Sequence, residues 1–340
     1  MVKLHIIYGR DIIYHNFNVE YGNHVMDSFE FESGRTLENV KVEYSTSGIP
    51  KYDEDGNIVN AIIYCPNLYG GRSILAQYHN LIKNNAFDKD EYYFIRIVSL
   101  GIADSCSPSV TGLKSNFPEY DFKDRINFKK QFLAEKFNLK NVLGLIGEGL
   151  GGFEIFTWAC EYPEDMEFMI VLNSSYKTHG HRYISAKCIE SIIESCDDYY
   201  SDEYSSSFSL LSMAIFRLLF LGYFPNKVVN NLSNDELDAL MEDYVEEGLF
   251  IDIHDFKFRN DCILRYDVGD KLSNIKAKSL ILGSEDILFL NPASDFDPLD
   301  NLIEDSKVVV FDSPVENYYD EEDYSELGCE LVTFLKQFKK

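Results

Sequence analysis

Six short apolar runs set the strongest limit on what this chain can fold into. They are AIIYC (61–65), YYFIRIV (92–98), VLGLIG (142–147), FMIVLNS (168–174), SLILGS (279–284) and KVVVFDS (307–313). Each is too short for a buried helix and lacks the alternation of a half-exposed strand, so each suits a strand covered on both faces of a parallel sheet. Helical patterns separate most of them: ILAQYHNLIKNN, DRINFKKQFLAEKFN and GGFEIFTWACEY. Strand–helix alternation of this kind builds an α/β sheet with right-handed crossovers. Ahead of it, roughly the first 60 residues read as β-rich, in VKLHIIY, FNVEYG and NVKVEYSTSG. The Asp-Gly in YDEDGNIVN signals a tight turn. Asp53, Asp55 and Asn57 hint at a calcium loop, but Gly56 is misplaced for one and no glutamate closes it, so a plain hairpin is the better reading.

The rhythm breaks once. About a hundred residues separate the Ser pair at 174–175 from the apolar run that starts near 277, and a gap that long needs structure of its own. It holds helical segments, the polar patch DDYYSDEYSSSF and the apolar run LLSMAIFRLLFLGYF (210–224). The expectation is a mostly helical cap over 176–270, inserted into a core made of 1–175 and 271–340. The run 210–224 is short for a bilayer span and carries Arg217 in its middle. It is expected either to pack inside the cap or to join two copies into a homodimer. YSELGCELVTFLKQFKK reads as a closing amphipathic helix, with lysines at the end where the helix dipole favours cations.

A net charge of −26 repels phosphate backbones and anionic membrane surfaces, so neither nucleic acid nor membrane is an expected partner. The seven cysteines are scattered and never form C-x-x-C, which points to reduced thiols in a cytoplasmic protein and not to a disulfide framework or a zinc site. Charged and polar residues interrupt the N-terminal stretch, so no secretory leader is expected.

Chemistry concentrates in LIGEGLGG (145–152), between a strand pattern and a helix pattern. Two motifs fit it. One is the nucleophile elbow G-x-S-x-G, whose central residue takes φ > 0 and projects above the sheet. The other is the dinucleotide loop G-x-G-x-x-G, matched by Gly147, Gly149 and Gly152. Against the second, the loop follows a middle strand, and the nearest downstream acids, Glu164 and Asp165, precede the next strand where a ribose-binding acid should end it. As an elbow, the motif has Gly149 at its centre, a residue that tolerates the backbone but has nothing to attack with.

Segments along most of the chain tip the balance. FEFESGRTLENVKVEYSTSGIP, CPNLYGG, SLGIADSCSPSVTG, FPEYDFKDRINFKKQFLAEKFNLKNVLGLIGEGLGG and YDVGDKLSNIKAKSLILGSEDILFLNP together resemble the homoserine O-acetyltransferase branch of the α/β-hydrolases. The resemblance implies an α/β-hydrolase fold, with a mostly parallel sheet and an inserted cap, and a triad in the order Ser…Asp…His. It places Gly149 at the serine, Asp286 (in GSEDILF) at the acid and Glu316 (in SPVEN) at the histidine. No histidine follows Asp286 to fill in. The resemblance also implies backbone N–H donors from Leu68 and Leu150 as an oxyanion scaffold. The expected result is a pseudoenzyme: a pocket for a small acyl or amino-acid-like ligand, with no attacking group, no metal and no cofactor. The alternative is an active acyltransferase or hydrolase with relocated residues. Cys65 and Cys106 are its candidate nucleophiles, although buried inert thiols are the simpler reading. Asp286 facing Glu316 could raise one carboxyl by repulsion, but solvated or hydrogen-bonded carboxylates at a cleft mouth are simpler. His179 and His181 read as packing or surface residues before metal ligands, and Lys177 and Arg182 beside them could give that loop local positive charge.

Overall fold

The computed structural model describes residues 19–67, 90–201, 205, 207–222, 226–248, 251–312 and 323–338. The segments VKLHIIY and ILAQYHNLIKNN lie outside the described residues. An antiparallel pair, β1 (Val19–Glu30) and β2 (Thr36–Gly48), opens the chain. All six apolar runs then become strands: β3 (Ala61–Cys65), β4 (Tyr93–Ile97), β5 (Val142–Glu148), β6 (Met166–Leu172), β7 (Lys278–Ser284) and β8 (Ser306–Phe311). They join one sheet in the order β1-β2-β4-β3-β5-β6-β7-β8, parallel from β4 to β8. β3, β4 and β5 are buried at every residue, as continuous apolar runs require, while the edge strand β8 is half-exposed. This is the α/β-hydrolase fold.

Two helices of the core position the site. α1 (Phe122–Phe137) starts with a capping box: Asp121 accepts the N–H groups of Lys123 and Asp124, and Asp124 accepts the N–H of Asp121. It ends on Asn138 in the left-handed region at φ +53°. α2 (Leu150–Glu161) is buried at eleven of its twelve residues, so it runs through the core with no solvent face. α8 (Asp323–Leu335) closes the opposite face of the sheet, where Leu331, Phe334 and Leu335 pack with Leu143 and Phe168.

The long gap leaves the sheet after β6 and returns before β7 through a pinned neck. Thr178 N–H bonds to Tyr266 O at 2.8 Å and Val268 N–H to Tyr176 O at 3.0 Å. Between them stand α3 (Gly180–Glu194), α4 (Ser207–Phe220), α5 (Asn226–Asn231), α6 (Asn234–Gly248) and α7 (Ile253–Leu264). These helices enclose an apolar cluster of their own that includes Ile193, Phe208, Phe216, Tyr244 and Phe256. The run 210–224 forms most of α4, whose Phe208, Ile215, Phe216 and Phe220 face that cluster, while Leu210 is exposed. Among the described residues no helix is long and apolar enough to cross a membrane.

Candidate active site

The elbow is built by backbone alone. β5 ends at Glu148, α2 begins at Leu150, and Gly149 between them takes φ +53° and ψ −116°. Residues with a side chain reach that region only under strain. Neighbours on β6 and beyond hold the turn: Gly149 N–H bonds to Leu172 O at 3.0 Å, and Ser174 Oγ donates to Gly149 O at 2.6 Å. Strand and helix approach so closely that a Cβ on Gly151 would lie 1.9 Å from the carbonyl oxygen of Cys65.

The space above Gly149 is filled. A Cβ built on Gly149 would lie 2.4 Å from Oδ1 and 2.6 Å from Cγ of Asn67. The same Oδ1 accepts the N–H of Leu150 at 3.2 Å. Asn67 thus covers the position of a nucleophile's first carbon, and its carbonyl already occupies the Leu150 donor. Leu68, the second donor position, lies outside the described residues.

Asp286 sits two residues past β7, at the same end of the sheet as Gly149. With β6 between, the two strand ends are about 10 Å apart. Its Oδ2 accepts the Lys227 N–H at 2.7 Å, its carbonyl accepts the Asn226 N–H at 3.0 Å, and its own N–H reaches Ser284 Oγ at 3.3 Å. The carboxylate therefore caps α5 of the helical insertion, and the Lys227 ammonium pairs with Asp312. Glu316 lies outside the described residues.

The other candidates are engaged elsewhere. His179 Nε2 meets Asp295 Oδ1 at 2.7 Å, and His254 Nδ1 meets Asp252 Oδ1 at 3.0 Å. His181 is exposed. Burial pushes the Cys65 and Cys106 thiols up to about 12, far from a reactive thiolate. Asp53 spends its Oδ1 on the N–H groups of Asp55 and Asn57, at 3.0 and 2.8 Å, inside its own turn. Among the described residues no cluster of His, Cys, Asp or Glu could hold a metal ion.

Beneath the elbow lies a charge cluster that sequence reasoning missed. Glu154 of α2 meets Arg125 Nε and Lys129 Nζ, both at 2.7 Å, and accepts from Ser99 Oγ at 2.8 Å. Lys129 Nζ also donates to Ser99 Oγ at 2.6 Å. Burial works against the Glu154 charge, but the two cations and these hydrogen bonds outweigh it and hold its carboxyl down to about 2. The signals were present: a lone glutamate inside an otherwise apolar helix and two cations one turn apart on α1. A narrow cavity opens above the cluster, lined in part by Asn67, Arg96, Arg125, Leu150 and Arg259.

A probable acyltransferase of Methanothermobacter thermautotrophicus is 35% identical over 289 residues, which is 85% of this chain and 89% of that protein. A homoserine O-succinyltransferase of Hydrogenovibrio crunogenus is 22% identical over 294 residues, covering 81% of this chain and 74% of that protein. The chain belongs to the homoserine acyltransferase-like branch of the α/β-hydrolases. No family model matches it. The homoserine O-acetyltransferase of Bacillus anthracis superimposes with a TM-score of 0.78 at 16% identity, covering 95% of this chain and 99% of that one. Within this acyltransferase-like architecture the elbow turn persists, Gly149 and Leu150 lie side by side under Asn67, and Asp286 stands at the same sheet edge with its carboxylate turned to the cap.

Proposed function

We propose that this acyltransferase-like protein is a pseudoenzyme that binds a small acyl or amino-acid-like ligand and does not run acyl transfer through its elbow. Acyl transfer in this architecture needs a hydroxyl to form the acyl-enzyme, a base to take its proton and free donors for the oxyanion. One observation carries the proposal: Asn67 Oδ1 stands where a side chain of residue 149 would begin and takes the Leu150 N–H. The names of the relatives, acyltransferase and homoserine O-succinyltransferase, support the ligand class. Cys65 and Cys106 offer the alternative reading little, because both thiols are buried and protonated.

The test is steady-state transfer from acetyl-CoA and succinyl-CoA to homoserine by purified protein. The expected result is no CoA release above the protein-free rate, and robust turnover would overturn the proposal. Two lesser parts belong to it. The seven cysteines are unpaired, as suits the reducing cytoplasm. Two copies would pair through the outward face of α4, where Leu210 is exposed; a monomer in sedimentation would remove that part alone.

A further inference from the structure

The cavity at the start of α2 has an unusual wall for a chain with a net charge of −26. Arg96 of β4, Arg125 of α1 and Arg259 of the cap helix α7 all line it, and each is at most 5% exposed. Among the described residues no Asp or Glu lines it. Arg125 commits its Nε to Glu154, while its Nη1 has no partner among the described residues. A buried guanidinium nitrogen on a residue that lines a cavity calls for an acceptor. Burial also pulls the Arg96 pKa below its ordinary value. The peptide N–H of Leu150 and the positive end of α2 add to the same field.

We propose that this cavity is a carboxylate-binding site, walled by Arg96, Arg125 and Arg259 and bounded by Asn67 and Leu150. Two arguments select the ligand class. A guanidinium presents paired donors in a plane, which match the two oxygens of a carboxylate. The cavity volume is about 20 Å³, where about 10–15 Å³ holds one water. It therefore admits one or two ligand oxygens, with the rest of the molecule directed outward. The site joins cap to core, because Arg259 belongs to α7 and the other two arginines to β4 and α1. The assignment rests on the non-catalytic reading of the elbow, since the carboxylate would sit where an acyl carbonyl would otherwise be processed.

Calorimetric titration with acetate at constant ionic strength tests it, with sulfate as the competitor. Wild-type protein is expected to bind acetate saturably and sulfate at least about tenfold more weakly. Because Arg125 also holds Glu154, the informative loss variant is Arg259→Gln, which leaves that cluster intact. It should weaken acetate about tenfold, the effect of one charge-assisted hydrogen bond. Asn67→Ala should tighten acetate by a similar factor, by widening the cavity and releasing the Leu150 N–H. No saturable binding in wild type and Asn67→Ala, equal competition by sulfate, or an unchanged affinity in Arg259→Gln would overturn the site. Turnover with a CoA ester alongside intact acetate binding would instead sink the non-catalytic reading, so the two failures are distinct.

Discussion

The turns that follow β5 and β7 occupy equivalent ends of parallel strands on either side of β6, yet they are held in opposite ways. After β5, Gly149 has a φ of +53° and no side chain, and Asn67 Oδ1 stands 2.4 Å from where a Cβ would lie. After β7, Asp286 keeps its carboxylate and gives it to the N–H of Lys227. The first turn is held through the main chain of Gly149, by Leu172 O and the Ser174 hydroxyl, and this does not depend on the identity of residue 149. The second position is a side chain at a strand end, where a carboxylate finds any unpaired donor nearby, and the exposed start of a cap helix supplies one. Backbone is conserved by its neighbours, whereas a side-chain role passes to whichever partner is available.

That contrast predicts a graded set of losses. The largest should come from beneath the elbow. Glu154→Gln leaves Arg125 and Lys129 buried without their counter-ion, so a loss of about 3–5 kcal/mol is expected in urea denaturation. The same residue sets an acid limit. Its folded pKa, about 2, lies below the ordinary 4.5. Its contribution is complete above pH 4.5 and is lost as pH falls towards 2. Wild-type stability should fall across that window, and the fall should be much shallower in Glu154→Gln.

Gly149→Ala comes next, at roughly 1–3 kcal/mol, because the added side chain must take a φ of +53° and push the Asn67 amide aside. In an Asn67→Ala background the cost should shrink by about 1 kcal/mol, which a double-mutant cycle would read as coupling. A Gly149→Ala as mild as a cap deletion would break the contrast between the two turns. Asp286→Ala should cost only about 1 kcal/mol, the worth of one helix cap. Lys227→Ala removes an exposed pair with Asp312 and should leave the denaturation midpoint in place.

The strands and the elbow were legible because each is a local pattern. AIIYC and VLGLIG state their burial in the residues themselves, and a glycine flanked by a strand and a helix states its turn. Asn67 was not legible, because an asparagine in CPNLYGG reads as an ordinary loop residue and its contact with Leu150 spans 83 positions. The Glu154 cluster draws on α1, α2 and Ser99 beyond the end of β4 at once, and only the misfit of Glu154 in an apolar helix announced it. Asp286 was legible as a residue but not in its role, since the helix it caps lies in the insertion, some 60 residues away along the chain. The cap's neck, tied through Tyr176, Thr178, Tyr266 and Val268, is main-chain pairing and leaves no mark in side-chain pattern.

As proposed, the elbow carries no acyl group at any stage. Intact-mass spectrometry after incubation with acetyl-CoA, succinyl-CoA and an activated acetate ester tests it most directly. The wild-type mass is expected to stay that of the unmodified chain at every time point. An acyl increment mapped to a peptide of the elbow or the adjoining cavity, and discharged by homoserine, would contradict it.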